Sequence, residues 1–210
     1  MLEALNLGCT RGNRRLFKGL NFSLKPGELI ELRGANGSGK TSLLRILSGL
    51  AAPAEGEVRW QGESIRSLGE EYSGAIAYLA HRNGVKDELS ALENLRIACG
   101  VAGNPLGKSE AQAILEQVGL SRQQNLPALS LSAGQRRRVA LARLLTSKAT
   151  LWILDEVLAS LDDEGATLAR NLISEHLSNE GMAIIATHHD LNLAADRMQR
   201  IELSQRPVLK

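Results

Sequence analysis

The sequence predicts an α/β protein in which a parallel sheet is interrupted by a helical insert. Strand-like and helix-like segments alternate in residues 1–81 and again from residue 149 onward, and strand–helix–strand order with short links is typical of a parallel sheet. Residues 82–148 have helical periodicity and no convincing strand. We therefore expect a single domain over residues 1–210, with a core of 1–81 and 149–210 and a helical subdomain of 82–148.

The N-terminal part of the core is predicted to consist of strands and one helix. Apolar and polar side chains alternate over residues 20–24, as in a half-buried strand. The sequence KPGE at 25–28 favours a turn, because proline presets one backbone dihedral angle and glycine supplies the next. Leucine and isoleucine side chains on one side of residues 41–50 indicate a helix. The predicted strands of this part are residues 3–7, 20–24, 29–33, 57–60 and 75–79.

The remaining elements are predicted from caps and periodicity. Ser90 is expected to begin a helix, because Glu93 stands three residues later and the two form a capping box. Residues 163–177 have helical spacing and lie between two strand-like segments, which again favours parallel strands. The predicted helices are residues 90–97, 109–118, 134–145 and 163–177, and the predicted strands are residues 150–154 and 182–187.

The composition excludes several classes of protein. The formal net charge is +2 and aromatic residues make up 3% of the chain, which argues against binding nucleic acid through bulk charge or base stacking. We expect no nucleic-acid partner. The arginine triplet at 136–138 is more typical of a solvated helix face, and we expect His176 to lie on a helix surface.

The distribution of cysteines and charges indicates a compartment. Cys9 and Cys99 lie far apart, which argues against a disulfide framework or a zinc site and favours a reducing environment. The longest stretch without Asp, Glu, Lys or Arg is residues 123–135, and it is too short and too polar for a membrane span of about twenty apolar residues. Residues 1–4 show no sign of a signal peptide. We expect a cytoplasmic protein whose membrane role, if it has one, depends on a partner.

The strongest motif is a phosphate-binding loop. The sequence GANGSGKT at 34–41 matches G-x-x-x-x-G-K-[ST] at every fixed position, with a predicted strand before it and a predicted helix after it. Glycines let several N–H groups point at one phosphate, and the helix N-terminus adds the positive end of its dipole. We predict that Lys40 reaches the β- and γ-phosphates of a nucleotide and that the Thr41 hydroxyl ligates Mg²⁺.

Two carboxylates end the apolar strand in the sequence LWILDE at 151–156. We predict that the strand brings Asp155 to the metal edge of the phosphate loop. Glu156 is then placed to orient or deprotonate the attacking water. Together with a phosphate loop, these carboxylates are compatible with a kinase, a GTPase or an ATPase.

A third motif, LSAGQ at 131–135, decides among these classes. Serine and glycine at the start of a helix present a hydroxyl and N–H groups, which form a second anion site. A single chain does not need two sites for one γ-phosphate, but two chains docked head to tail do. We therefore predict an ATP-dependent homodimer in which Ser132 and Gly134 of one copy cap the γ-phosphate held by the other.

These motifs resemble those of the ATP-binding subunits of ABC transporters. LSAGQ differs from the family signature LSGGQ only at Ala133, the sequence SLD at 160–162 stands where the family has its D-loop, and His188 stands at the switch-histidine position. The resemblance implies a P-loop NTPase fold with a RecA-like parallel core sheet, an antiparallel β part and an inserted ABC helical subdomain. It also implies an ATP hydrolase in which His188 contacts the γ-phosphate.

The motifs and the resemblance together define the expected site. The cofactors are ATP and Mg²⁺, with Thr41 and Asp155 as metal ligands. The residues expected to act in catalysis are Glu156, His188 and His81. Those expected to bind nucleotide are Gly34, Asn36, Gly37, Ser38, Gly39, Lys40, Thr41, Ser42, Arg11, Ser132, Gly134, Gln135 and Asp162.

Three positions depart from the family pattern. His81 stands where the family has a glutamine that senses Mg²⁺ and the attacking water, so it is either an imidazole replacement or simply the end of a strand. Arg11 lies where relatives often stack an aromatic side chain on adenine, and it either stacks through its guanidinium plane or is a solvated loop residue. Val157 replaces a proline that would rigidify the turn after Glu156.

A narrower resemblance, to the ATP-binding proteins of cytochrome c maturation, rests on His81, GVK at 84–86, LSALENL at 89–95 and LWILDE at 151–156. It implies a complex with two integral membrane subunits at the cytoplasmic face of the bacterial inner membrane. In that family ATP hydrolysis drives release of a haem-loaded chaperone. The alternatives are the ATPase of another ABC exporter, for lipid, drug or peptide, and a soluble ABC ATPase that transports nothing.

Overall fold

The computed structural model describes residues 1–188, 190–193 and 198–204. The chain divides into two compact units. The core unit comprises residues 1–78, 149–156 and 174–210, and the helical unit comprises residues 79–148 and 157–173. The subdomain boundaries expected from the sequence, 82–148 for the helical part, stay a prediction.

Strands and helices alternate along the chain, with a block of helices between the sixth and seventh strands. In chain order the elements are β1 (Leu2–Arg11), β2 (Arg14–Leu24), β3 (Leu29–Arg33), α1 (Lys40–Leu47), β4 (Glu55–Trp60), β5 (Glu63–Ser64), α2 (Ile65–Leu68), α3 (Glu70–Ala75), β6 (Ile76–Leu79), α4 (Ala91–Val101), α5 (Lys108–Gln117), a 3₁₀ turn (Ala128–Ser130), α6 (Ala133–Leu145), β7 (Leu151–Asp155), α7 (Asp163–Ser178), β8 (Met182–Ala186) and β9 (Met198–Glu202).

Two sheets confirm the α/β class. One has the strand order β6-β7-β8-β3-β9, in which β7 with β8, β8 with β3 and β3 with β9 are parallel. The other has the order β2-β1-β4-β5 and is antiparallel. Strands β7 and β8 are buried along their whole length, as expected for parallel strands covered on both faces.

Strand β9 was not predicted from the sequence. It has the exposure of an edge strand, since four of its five residues are exposed and only Ile201 is partly covered. Its sequence MQRIE therefore has neither an apolar run nor a clear alternation. The short helices α2 and α3 were also not predicted, because four and six residues are too few to show a helical period.

Each unit has its own apolar core. In the core unit, α1 buries Leu43, Leu44, Ile46 and Leu47, and these pack with residues of both sheets. In the helical unit, α4, α5 and α6 form a separate cluster around Leu95, Leu115 and Val139. The capping box predicted at the start of α4 is present, because the Ser90 side chain accepts from the Glu93 N–H and Glu93 accepts from the Ser90 N–H. None of the described helices combines the length and apolar character needed to cross a bilayer.

Candidate nucleotide-binding site

The phosphate loop connects the buried strand β3 to helix α1, as the motif requires. Gly34 has a φ of 142°, and a Cβ at this position would lie 2.5 Å from the Leu203 carbonyl oxygen. Gly39, the N-cap of α1, has a φ of 109°, and a Cβ there would lie 3.1 Å from the Leu16 Cβ. At Gly34 both the backbone conformation and the lack of space exclude a side chain, whereas at Gly39 the backbone conformation disfavours one and the space is tight.

The loop surrounds polar groups that are ready for an anion. The Ser38 hydroxyl is buried and has no hydrogen-bond partner among the described residues, which is costly unless a ligand supplies one. The Lys40 Nζ donates to the carbonyl oxygen of Gly34 at 2.7 Å and to that of Ala35 at 3.4 Å. The ammonium group therefore lies over the loop that the sequence predicts to hold phosphate.

Thr41 and Asp155 meet at the end of strand β7. The Thr41 Oγ1 donates to the Asp155 Oδ2 at 2.8 Å, and Asp155 is only 2% exposed. Burial, together with the charge of Asp155, raises the pKa of the neighbouring Tyr78. The predicted metal ligands thus lie together although 114 positions separate them in the sequence.

Glu156 and His188 form a second cluster in the core unit. Glu156 has a φ of 52°, an unusual value for a non-glycine residue that is typical of functional sites. Its N–H donates to the Ala186 carbonyl oxygen at 2.8 Å, and its Oε2 accepts from the His188 N–H at 3.3 Å. The His188 Nε2 lies 3.1 Å from the Lys40 Nζ and 2.9 Å from the Asn36 Oδ1.

The other core-unit residues that were predicted to bind nucleotide do not contact the Lys40–His188 cluster in the described hydrogen bonds. Ser42 is half-buried and hydrogen-bonds the Cys9 thiol, whose pKa is raised by burial and lowered in part by this bond. Gly37 has a φ of 77° and lies in the exposed part of the loop. Arg11 is exposed at the end of β1, so its contact with adenine stays a prediction.

Sequence reasoning missed an ion-pair network next to the loop. Glu31 on β3 is 1% exposed and accepts from Arg33 at 2.9 Å and from Arg200 at 2.7 Å. Burial raises the pKa of Glu31, but the two arginines outweigh it and the net pKa is lowered. Arg33 also donates to Asp190 at 2.5 Å, which ties the residue before the loop to the segment after His188. A glutamate within an otherwise apolar strand was the available signal.

In the helical unit, the LSAGQ segment forms the N-terminus of α6. Ser132 is the N-cap, and its hydroxyl accepts from the Gln135 N–H at 3.1 Å while the Gln135 Oε1 accepts from the Ser132 N–H at 2.9 Å. Gly134 lies against the D-loop, because a Cβ there would be 2.8 Å from the Ser160 carbonyl oxygen. The side chains of Ser132 and Gln135 both take part in this capping box, and Ser132 is exposed to solvent.

Asp162 and His81 also lie in the helical unit. The Asp162 Oδ1 accepts from the Arg138 guanidinium at 2.6 Å and from the Gly165 N–H at 2.9 Å. These bonds lower the pKa of Asp162 and cap the start of α7. His81 is exposed and follows strand β6 by two residues.

Two expectations about basic residues are wrong. Arg137 and Arg138 are only 2% and 8% exposed, because α6 is buried on most of its circumference from residue 137 to 142. The apolar run that follows the triplet was the signal for this burial. His176 is half-buried and stacks on Trp152, with ring centroids 3.9 Å apart and planes 6° from parallel.

Comparisons with known proteins agree with this geometry. The sequence model of the family described as ABC transporter matches residues 17–159. An ABC transporter ATP-binding protein from Pyrococcus furiosus has a similar structure, with a TM-score of 0.81, 26% identity and coverage of 95% of this chain and 96% of that one. A dimeric bacterial ABC transporter cassette has the same fold, with a TM-score of 0.81, 24% identity and coverage of 98% and 97%. The chain is therefore an ABC-type ATP-binding protein and an ATP hydrolase.

Curated relatives narrow the class. A cytochrome c biogenesis ATP-binding export protein CcmA from Nitrosospira multiformis is 51% identical over 203 residues, which cover 97% of this chain and 98% of the relative. The protein of the same name from Nitrosomonas europaea is 48% identical over 204 residues, with coverage of 97% and 96%. The chain belongs to the CcmA family of cytochrome c biogenesis ATP-binding export proteins.

Proposed function

We propose that this chain is the ATP-hydrolysing subunit of a membrane ABC complex, in which ATP binding and hydrolysis drive haem export or release of a haem-loaded chaperone during c-type cytochrome biogenesis. The supporting observation is the cluster formed by Lys40, Asn36, Glu156 and His188, whose members come from three separate parts of the chain. The relatives are named as cytochrome c biogenesis ATP-binding export proteins, which supports the assignment to c-type cytochrome biogenesis.

We include Mg²⁺ in the proposal because the residues present suit it. The Thr41 hydroxyl and the Asp155 carboxylate are adjacent oxygen groups, and Mg²⁺ prefers such ligands together with phosphate oxygens. The orphaned Ser38 hydroxyl supports an anion in the loop beside them. When bound, the ion would neutralise part of the charge on the phosphates.

The protein groups of the core unit have distinct proposed roles. Lys40, Ser38 and the loop N–H groups bind the phosphates and hold the γ-phosphoryl group in one position. The Glu156 carboxylate orients the attacking water and accepts its proton. His188 contacts the γ-phosphate. Its main-chain N–H donates to the Glu156 side chain, which holds it in place. Most of the rate enhancement then comes from positioning and charge stabilisation.

The active form is proposed to be an ATP-dependent homodimer. Ser132 and Gly134 of one copy cap the γ-phosphate in the other, with Gln135 as the capping partner that orders the start of α6. A solved cassette with the same fold is dimeric, which supports a homodimer. His81, Asp162 and Arg11 are proposed to contribute to water sensing, nucleotide binding and adenine binding, respectively.

The remaining partners are two integral membrane subunits and, through them, a haem chaperone. We propose that the chain is peripheral and lies at the cytoplasmic face of the bacterial inner membrane. No nucleic acid takes part.

Mass spectrometry of proteins that co-purify with the tagged full-length chain from detergent-solubilised native membranes tests the proposal. We expect two small membrane subunits and a haem-handling protein. Co-purification with an unrelated permease would leave the ATPase assignment unchanged, but it would overturn the haem assignment and favour another exporter. Recovery only in the soluble fraction, with no membrane protein, would overturn the transporter role and favour the soluble ABC ATPase.

A further inference from the structure

The side chain of Arg137 is buried in the helical unit and joins three segments of it. Its Nε donates to the Val157 carbonyl oxygen at 3.2 Å. Its Nη1 donates to the Ala80 carbonyl oxygen at 3.1 Å and to the Asn83 Oδ1 at 2.8 Å. One guanidinium group therefore connects helix α6 to the segment on either side of His81 and to the residue directly after Glu156.

The chemistry of arginine explains this arrangement. A planar guanidinium group has five donors in a rigid fork, so it can satisfy carbonyl oxygens from two loops at once. Buried main-chain carbonyls that lack a partner are costly. Arg137 removes this cost for the buried Val157, and it also binds the carbonyl oxygen of the half-buried Ala80, so both residues are tied to α6.

A second arginine of α6 holds the same segment. The Arg143 Nη1 donates to the Asn83 carbonyl oxygen at 3.3 Å, and burial lowers the pKa of Arg143. Asn83 is therefore bound through its side chain by Arg137 and through its main chain by Arg143. Two arginines of one helix, with three hydrogen bonds between them, restrict the path of residues 80–84 more than either arginine would alone.

The flanking arginines bind elsewhere in the described structure. Arg136 pairs with Asp87 at 2.9 Å and donates to carbonyl oxygens of the segment before its own helix. Arg138 binds Asp162 and Glu164. Three consecutive arginines thus serve three different regions, and Arg136 offers a control that leaves residues 80–83 untouched.

We propose that Arg137 is a positioning residue for ATP hydrolysis. It holds the main chain beside His81 and the residue directly after Glu156, and it affects these two residues through their neighbours in the chain. Arg137 acts through these residues and does not itself bind nucleotide. The catalytic part of the inference rests on the proposed roles of His81 and Glu156, whereas the structural part rests on the contacts alone.

Hydrogen exchange on the full-length chain tests the structural part without any activity. We expect Arg137→Gln to accelerate exchange in residues 80–84 and 157–161 by about tenfold or more, because the hydrogen bonds that hold both segments to α6 are lost. Arg136→Gln is the control and should leave both segments unchanged. If Arg137→Gln does not fold, Asn83→Ala removes one acceptor and should accelerate exchange in residues 80–84. The proposal would be overturned if Arg137→Gln and Arg136→Gln exchanged at the same rate in these segments. It would also be overturned if Asn83→Ala exchanged at the rate of the unmodified chain.

Steady-state kinetics with Mg-ATP tests the catalytic part. We expect Arg137→Gln to lower kcat by roughly 10- to 100-fold, as small misplacements do, while the Kd of a fluorescent ATP analogue changes less than about twofold. Arg137→Lys should be intermediate, because an ammonium group reaches fewer acceptors. In a His81→Ala background the loss caused by Arg137→Gln should shrink. Fully additive losses would overturn the positioning of His81 by Arg137. If His81→Ala turns over ATP at the unmodified rate, the proposed role of His81 is wrong, and so is the part of the inference in which Arg137 acts through it. The structural part, tested by hydrogen exchange, would not be affected.

Discussion

The core unit and the helical unit hold their proposed functional residues in different ways. In the core unit, functional side chains contact one another, as Thr41 does with Asp155 and His188 with Lys40. In the helical unit, the polar side chains of α6 mainly bind main-chain groups, either of their own helix or of neighbouring loops. The side-chain contacts of the core unit bring together groups that could bind a ligand. The main-chain contacts of α6 fix the path of the chain in the helical unit.

This difference predicts where substitutions act. Removing a side chain in the core-unit site takes away a group that would meet the nucleotide and leaves the fold largely intact. Removing one at the start of α6 also removes a cap or a main-chain partner, so stability falls together with function. Four substitutions, from the largest expected effect to the smallest, test this contrast.

Glu156→Gln should reduce ATP turnover by about 10²- to 10⁴-fold, because the variant cannot accept a proton from water. ATP binding should remain, since the isosteric amide retains the oxygen that accepts from the His188 N–H. Phosphate release and binding of a fluorescent ATP analogue by the full-length chain measure the two effects. Rapid hydrolysis by the variant would contradict the role proposed for Glu156.

Thr41→Ala should weaken Mg-dependent nucleotide binding by about tenfold, which corresponds to about 1.4 kcal/mol, because it removes the hydroxyl that faces Asp155. Titration of nucleotide with and without Mg²⁺ measures the change. Thr41→Ser is the matched control, since it keeps the hydroxyl and should bind normally. Equal losses with and without Mg²⁺ would show that the threonine contributes packing instead.

Ser132→Ala and Ser90→Ala form a matched pair, because both serines belong to capping boxes. Each substitution should lower the free energy of unfolding by about 1 kcal/mol. Only Ser132→Ala should also weaken the ATP-dependent dimer, measured by sedimentation in a Glu156→Gln background. If the two variants dimerise equally well, the γ-phosphate cap assigned to Ser132 is wrong, and the contrast between the units is weaker than proposed.

The smallest expected effect concerns His176 and pH. Burial lowers the pKa of His176, partly offset by hydrogen bonds to Met182 and Thr150, so the folded state favours the neutral ring. As pH falls through the ordinary histidine value of about 6.5, the unfolded chain binds more protons and stability decreases. The loss should level off below the native pKa and stay under about 1 kcal/mol, because solvent screens a half-buried ring. His176→Phe keeps a ring against Trp152 and should remove this component of the pH dependence in denaturant titrations.

Much of the core-unit site could be predicted from local sequence. The phosphate loop and the DE pair after an apolar strand are short patterns whose chemistry depends on neighbouring residues. In the structure the loop lies between β3 and α1, the DE pair lies at the end of β7, and Thr41 contacts Asp155. The burial of Arg137 and the stack of His176 on Trp152 could not be predicted in this way. Both depend on which face of a helix is covered by segments distant in sequence.

The sequence alone determined the fold class, the phosphate loop and the start of the signature helix, because these follow from turn chemistry, helix capping and hydrophobic period over a few neighbouring residues. Tertiary structure decided that Thr41 meets Asp155, that His188 meets Lys40 and that Arg137 binds Ala80 and Val157. These contacts join residues far apart in the chain. They exist because packing of parallel strands and buried helices brings distant main-chain and side-chain groups within hydrogen-bond distance.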